Sequence, residues 1–177
     1  MFLLHYYFSA HLALRNKPSR IFALIIGIDA YPSLPKLNGA VNDAKDVEGF
    51  LKSNLDVPED RILHLHDAEA TREKIINAFE QLSMENKILM DDPILIYYAG
   101  HGTLLTPPKN WEAGGPRRKI QAICPYDYAQ GKIPAIPDRT IGGLLDLICK
   151  EKGNNIVRFL FLWFLSLPDV RMADRHF

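Results

Sequence analysis

The residues best able to do chemistry are concentrated in one stretch, ILIYYAGHGT, Ile94 to Thr103. An aliphatic and aromatic run gives way to Ala-Gly-His-Gly, which sets one histidine, His101, where a buried strand is expected to end. Glycine on either side lets the backbone turn sharply and approach a ligand. The Gly102 N–H, unshielded by a side chain, is then able to donate to a developing oxyanion. An imidazole base next to an oxyanion donor suits acyl transfer, and the bland alternative is a histidine that caps the strand through a hydrogen bond to a loop.

The other reactive groups are weaker candidates. Cys124 in AICPYD and Cys149 in LICKEK have no partners at metal-binding spacing, and no secretory context argues for a disulfide between them. Cys149 falls near the carboxyl end of an expected helix, whose dipole works against a thiolate, and Cys124 falls in a strand before proline. Both read as small core residues. His64 and His66 of RILHLHD alternate onto one strand face; such a pair can hold metal, but no third ligand lies nearby in sequence, which favours a strand edge facing solvent. Asp43, in AVNDAKD, occupies an early helical turn, where the dipole favours a carboxylate with or without a ligand.

Regularly alternating elements must position these groups. IFALIIGI, Ile21 to Ile28, is a continuous apolar run that predicts a strand covered on both faces. LNGAVNDAKDVEGFLKSNL carries Val41, Ala44, Val47, Phe50 and Leu51 at helical spacing. RILHLHD predicts a short strand. TREKIINAFEQLSM predicts a helix with Thr71 as N-cap and Ile75, Ile76, Phe79 and Leu82 as its buried stripe. After the strand DPILIYYAG, the Pro- and Gly-rich chain from Thr103 to Gln121 reads as a surface excursion or hairpin. IQAICPYD predicts another strand, and IPDRTIGGLLDLICKEKGNN a helix capped by Asp138 or Thr140 and stopped at Gly153. IVRFLFLWFLSL is apolar enough for a strand, though Arg158 and the Phe and Trp run fit one poorly. This rhythm predicts a mostly parallel sheet with helices on both faces and functional groups beyond the carboxyl ends of the strands. His101 and Asp29 fall at such ends, with Asn42 and Asp43 just beyond.

The 177 residues suit one domain, and 21 Lys plus Arg balance 21 Asp plus Glu. No basic patch interleaved with aromatics points to nucleic acid or an anionic membrane; GGPRRK around Arg117 reads as a solvated loop. The opening MFLLHYYFSAHLALRNK is apolar, but His5 and His11 interrupt it and it lacks a basic n-region and a clean cleavage site, which argues against a signal peptide. The apolar run Phe159 to Leu167 is too short to span a bilayer. A reducing cytoplasmic compartment, or the nucleus, is expected.

Taken in order, ALIIGIDAY, LNGAVNDAKDVEGFL, YYAGHGT and ICPYDY resemble the caspase-like cysteine peptidases, peptidase C14, and specifically the metacaspase-type domains common in fungi. The resemblance runs from Phe22 to Ile156. It implies an α/β three-layer sandwich around a mostly parallel sheet, here incomplete at its C-terminal side, and hydrolysis of peptide or protein substrates by a Cys-His dyad. His101 matches the dyad histidine and Gly102 the oxyanion donor. Asp43 matches a carboxylate lining the pocket for the residue before the cut, and a buried carboxylate there favours Lys or Arg. An arginine that gives true caspases their aspartate preference aligns near Leu37, which cannot serve. No cofactor is required by the family, although calcium activates some relatives. Asp138 aligns with an acidic region used for calcium there, but one carboxylate is far short of a calcium shell.

The family nucleophile sits in a box like Asp-Cys-Cys-His-Ser-Gly, and counting on from Ile156 puts it near Trp163. The chain reads VRFLFLWFLSLPD there, and no cysteine follows Cys149. Without a thiolate no acyl-enzyme can form. Three regions follow: an extension, 1–19; the caspase-like domain, 20–156; and a divergent tail, 157–177. Codons for Val157-Arg158 can form a donor splice site and those for Met172 to Phe177 a branch point, so the tail also reads as translated intron. The candidate functions are an endopeptidase represented by an incomplete chain, a pseudopeptidase that binds peptides or a protease through Asp43, and a structural module. In each case a truncated sheet is expected to expose an edge and apolar helix faces.

Overall fold

The structure, a computed structural model, describes residues 18–107, 119–129 and 131–164. Nine main elements follow one another: β1 (Phe22–Gly27), α1 (Ala40–Asn54), β2 (Ile62–His66), α2 (Arg72–Met84), β3 (Ile94–Leu105), β4 (Ile120–Ile123), β5 (Ile136–Pro137), α3 (Asp138–Lys152) and β6 (Ile156–Phe164). Gly114 to Arg118 of the loop cluster GGPRRK lie outside the described residues, as does the chain before Pro18.

β1, β2, β3 and β6 run parallel, with β1 between β2 and β3. Residues 94–99 of β3 pair with β1 and with β6 at once, so those two neighbours must lie on opposite edges. β4 pairs antiparallel with Gly102 to Leu105 and carries β5 on its other side. Because Gly102 also pairs with Phe164 of β6, β4 takes the edge of β3 that β1 leaves after Ala99. A mostly parallel α/β sheet is therefore present, and among the described residues nothing pairs with the outer edge of β6. That edge is the incomplete side, and the sheet crosses the expected boundary at Ile156.

Alternate residues of the sheet feed two cores. Ala23 and Ile25 pack with Ala40, Ala44 and Leu51 of α1 on one face. Phe22, Leu24 and Ile26 pack with Ile75, Phe79 and Leu82 of α2 and Ile141, Leu145 and Ile148 of α3 on the other. Burial on both faces is why β1 reads as an unbroken apolar run. Thr71 caps α2 as expected, its hydroxyl accepting from the Lys74 N–H at 3.3 Å. Gly153 ends α3 at φ 89°, a backbone that disfavours any side chain.

Two expectations are corrected. β3 does not stop at Ala-Gly-His-Gly but continues for 12 residues, because β4 replaces β1 as its partner. α3 begins at Asp138 after Pro137, so neither Asp138 nor Thr140 is the N-cap; the Asp138 carboxylate instead accepts from the adjacent Arg139 N–H at 2.6 Å. The apolar stripe of α1 is only partly covered, in line with the expected exposure of apolar helix faces, and Phe50 is 54 % exposed.

Gly27 marks where α1 lies closest to the sheet. A Cβ there would stand 2.7 Å from the Ala44 Cβ and 2.8 Å from the Ala40 carbonyl oxygen, both fixed by the helix. Gly27→Ala is predicted to lower stability by about 1–3 kcal/mol, the usual cost of forcing one extra methyl into a packed core. Urea unfolding checks this, and an unchanged midpoint would show that α1 slides freely.

Candidate active site

β1 ends at Gly27, opposite Ala99, and His101 lies just beyond that end. The loop from β1 to α1 is folded back there by two carboxylates. Asp29 accepts from the Ala40 and Val41 N–H groups at 2.9 and 3.1 Å, capping α1, while Asp67 accepts from the Asp29 and Ala30 N–H groups at 2.8 and 2.9 Å. Asp29, which the sequence places at a strand end, is therefore a structural cap.

The folded loop brings Pro35 and Tyr31 onto His101. Imidazole Nε2 lies 2.8 Å from the Pro35 carbonyl oxygen. A carbonyl only accepts, so Nε2 carries the proton and the neutral ring has its lone pair on Nδ1. The Tyr31 ring packs on the imidazole with centroids 4.8 Å apart. The side chain is thus held in one tautomer and one orientation, as a general base requires. The histidine residue itself is only 2 % exposed.

Its backbone is held as tightly. The Tyr31 hydroxyl accepts from the His101 N–H at 2.8 Å and reaches the Cys124 carbonyl at 3.3 Å. The single Tyr98 hydroxyl proton is shared between the carbonyls of His101 and Cys124, each 2.9 Å from the oxygen, and the Cys124 N–H donates to the His101 carbonyl at 2.9 Å. Burial pushes both tyrosine hydroxyls up, so each stays protonated and able to donate. Gly100 makes room for this pair: a Cβ there would stand 2.5 Å from the Tyr31 hydroxyl and 2.7 Å from that of Tyr98. Sequence reasoning missed both tyrosines, although the adjacent Gly100 marks a close approach.

Cys124 directly follows β4, and burial pushes its thiol up to about 12. It remains a protonated core residue at neutral pH. Cys149 lies on α3, half-buried, its carbonyl accepting from the Gly153 N–H.

A sequence model of the caspase domain, peptidase C14, matches residues 20–142. The chain belongs to the caspase-domain family. Within it the domain is metacaspase-like: it is 28 % identical over 123 residues to metacaspase-1 of Meyerozyma guilliermondii, covering 66 % of this chain and 29 % of that protein. It is 33 % identical over 93 residues to metacaspase-1 of Candida albicans (49 % and 20 % covered), and 28 % identical over 118 residues to metacaspase-3 of Arabidopsis thaliana (63 % and 31 %). The chain spans less than a third of the length of these relatives. A solved structure, protein GSU0716 from Geobacter sulfurreducens, shares the fold at TM-score 0.61 and 20 % identity, covering 83 % of this chain and 50 % of that one.

In the caspase-like domain Asp43 sits in the first turn of α1, at the same end of the sheet as His101, but it is exposed rather than buried. The fold turns Ala44 inward to meet β1, which sends its neighbour Asp43 outward. A screened carboxylate draws a cation far less strongly than a buried one. Gly102 is a ladder residue paired with Ile123 and Phe164. Leu37 packs partly buried against both cores, and Asp138 is exposed and belongs to no group of three or more potential metal ligands among the described residues. No helix among the described residues is long and apolar enough to cross a membrane.

His64 and His66 do share a face, their rings stacked at 5.5 Å. Folding also supplies what the local sequence lacked: Glu48 and Glu59 bring carboxylate oxygens that, with a His64 nitrogen, lie within 4.8 Å of one another. The place of a cation between the carboxylates is taken by the Lys52 ammonium, 2.5 Å from each. Burial pushes the Glu48 carboxyl up, but Lys52 outweighs it and holds the group below its ordinary value. Burial, then the neighbouring His64, push His66 down.

Two predictions follow from these contacts. Tyr31→Phe leaves the buried His101 N–H without its acceptor and is expected to cost about 1–3 kcal/mol; urea unfolding measures the loss, and a neutral result would place that N–H elsewhere. For pH, the folded state resists protonating His66, so its stabilising share is present above its ordinary value of 6.5 and is lost as pH falls below it. Glu48 adds a loss in the same direction at lower pH. Unfolding midpoints should fall on acidification from neutrality, and His66→Gln should flatten the upper part of that decline; an unchanged profile in the variant would remove His66 as a cause.

Proposed function

We propose that this chain is the histidine-bearing part of a cysteine endopeptidase domain that cuts after Arg or Lys, and that as it stands it does not cut. The observation carrying the reading is the parallel register of β3 and β6, in which His101 pairs with Trp163. That is the position where the family resemblance puts the nucleophile, and a tryptophan there offers no nucleophilic atom. His101, with its proton on Nε2, has a lone pair on Nδ1 to activate a thiol; Gly102 is the proposed oxyanion donor. A carboxylate at the first turn of α1 on the same side supports selection of a basic residue, Asp43 acting from the rim rather than from a closed pocket. The activity of the longer relatives belongs to this proposal, as does stimulation by calcium.

A second reading, a non-catalytic module binding basic peptides through Asp43, is favoured by the same Trp163 pairing. One experiment separates them. Purified chain is given fluorogenic peptides containing Arg or Lys, with and without calcium, and peptide binding is measured by fluorescence anisotropy. No turnover above buffer is expected. Turnover lost in His101→Ala yet kept in Cys124→Ala and Cys149→Ala would show that a nucleophile is present after all. Binding of the basic peptide that disappears in Asp43→Ala would establish the binding module.

A further inference from the structure

At the amino ends of the strands, on the α1 face, lies an open apolar groove of about 580 Å³. Its walls are Val47 and Phe50 from α1, Leu55 directly after that helix, Tyr97 from β3, and Val157 and Phe159 from β6. Phe50, Leu55, Val157 and Phe159 are 54, 40, 49 and 49 % exposed. Four large apolar side chains facing one groove make a contiguous patch, and such patches mark contact sites rather than ordinary surface.

The chain itself supplies an occupant. Ile21 is part of the groove wall, and the Ser19 N–H is tied to the Asp56 carbonyl at 3.3 Å. Residues 1–17 therefore join the described structure at the lip of the groove. Their sequence, MFLLHYYFSAHLALRNK, has no acidic residue and is apolar in 11 of 17 positions. Leu4, Phe8 and Leu12 recur at intervals of four, and among the described residues the only charged one lining the groove is Asp46. A segment tethered through so few residues is held at millimolar effective concentration, well above what a second copy reaches in dilute solution.

We propose that residues 2–14 of this chain dock in the groove between α1 and β6, with Phe8 packing against Phe50 and Phe159. Docking covers the apolar side chains that the incomplete sheet leaves open and ties the opening segment to the caspase-like domain. It also places the segment across the start of β6, where it braces that strand against α1.

The test uses the full chain with Phe8 replaced by the photoreactive benzoylphenylalanine. It is irradiated at submicromolar concentration as a mixture of isotope-labelled and unlabelled protein, and the cross-links are mapped by mass spectrometry. Cross-links from position 8 to residues 47–55 or 157–159 within a single molecule are expected. Phe50→Glu, at an exposed position, should reduce their yield at least about tenfold, because a charge placed in an apolar contact is left unpaired. Circular dichroism should show the fold of that variant unchanged. Cross-links joining labelled to unlabelled molecules would make the occupant a second copy and overturn the proposal. Cross-links that miss the groove, or a yield indifferent to Phe50→Glu, would also overturn it, leaving the groove to another part of a longer protein or to a separate partner.

Discussion

The site depends on how β3 changes partners. A strand buried on both faces cannot leave its N–H and C=O groups unpaired, yet β1 ends opposite Ala99 and β4 begins opposite Gly102. His101 falls in the gap. Its N–H is taken by the Tyr31 hydroxyl, and its carbonyl by the Cys124 N–H and the Tyr98 hydroxyl. Two side-chain hydroxyls thus stand in for the missing strand. Gly100 is required because the hydroxyls occupy the volume a Cβ would fill. The glycine that first suggested a sharp turn instead serves a straight strand.

That substitution explains why the imidazole is so well oriented. Tyr31 contacts the His101 backbone through its hydroxyl and the imidazole through its ring. Pro35, four residues along the same loop, accepts from Nε2. The loop is pinned by Asp29 on the α1 N-terminus and by Asp67 on the loop backbone. The histidine is therefore positioned by residues from the loop after β1, from β3 and from the turn after β4, and the tautomer follows from a backbone carbonyl rather than from a carboxylate.

Much of this frame was legible in the sequence, because periodicity reports burial directly. The unbroken run of β1, the helical stripe of α2 and the alternation of His64 and His66 all became elements of the expected kind. What escaped was contact between distant segments. Nothing local to YYAGHGT announces Tyr31 or Pro35, some 70 residues away. Likewise Glu48 and Glu59 meet His64 only after α1 folds back on β2. Asp43 was read as buried because the resemblance implied a pocket, whereas the phase of α1, fixed by Ala44 against β1, turns it to solvent. Phase errors of this kind arise wherever small residues such as Ala40 and Ala44, rather than large ones, make the closest contact.

The strand opposite the histidine is β6. Among the described residues, the His101 backbone and Nε2 are held by Pro35, Tyr31, Tyr98 and Cys124. β6 contributes a ladder to β3, for which β-forming residues in register suffice, and IVRFLFLWF supplies those. The two halves of such a site are therefore mechanically separable. A sequence change confined to β6 removes none of those four contacts. A well-formed histidine is then evidence about β1, β3 and the loops between them, and it carries no information about the residue across the ladder. That residue has to be read from the register itself, and the register pairs His101 with Trp163.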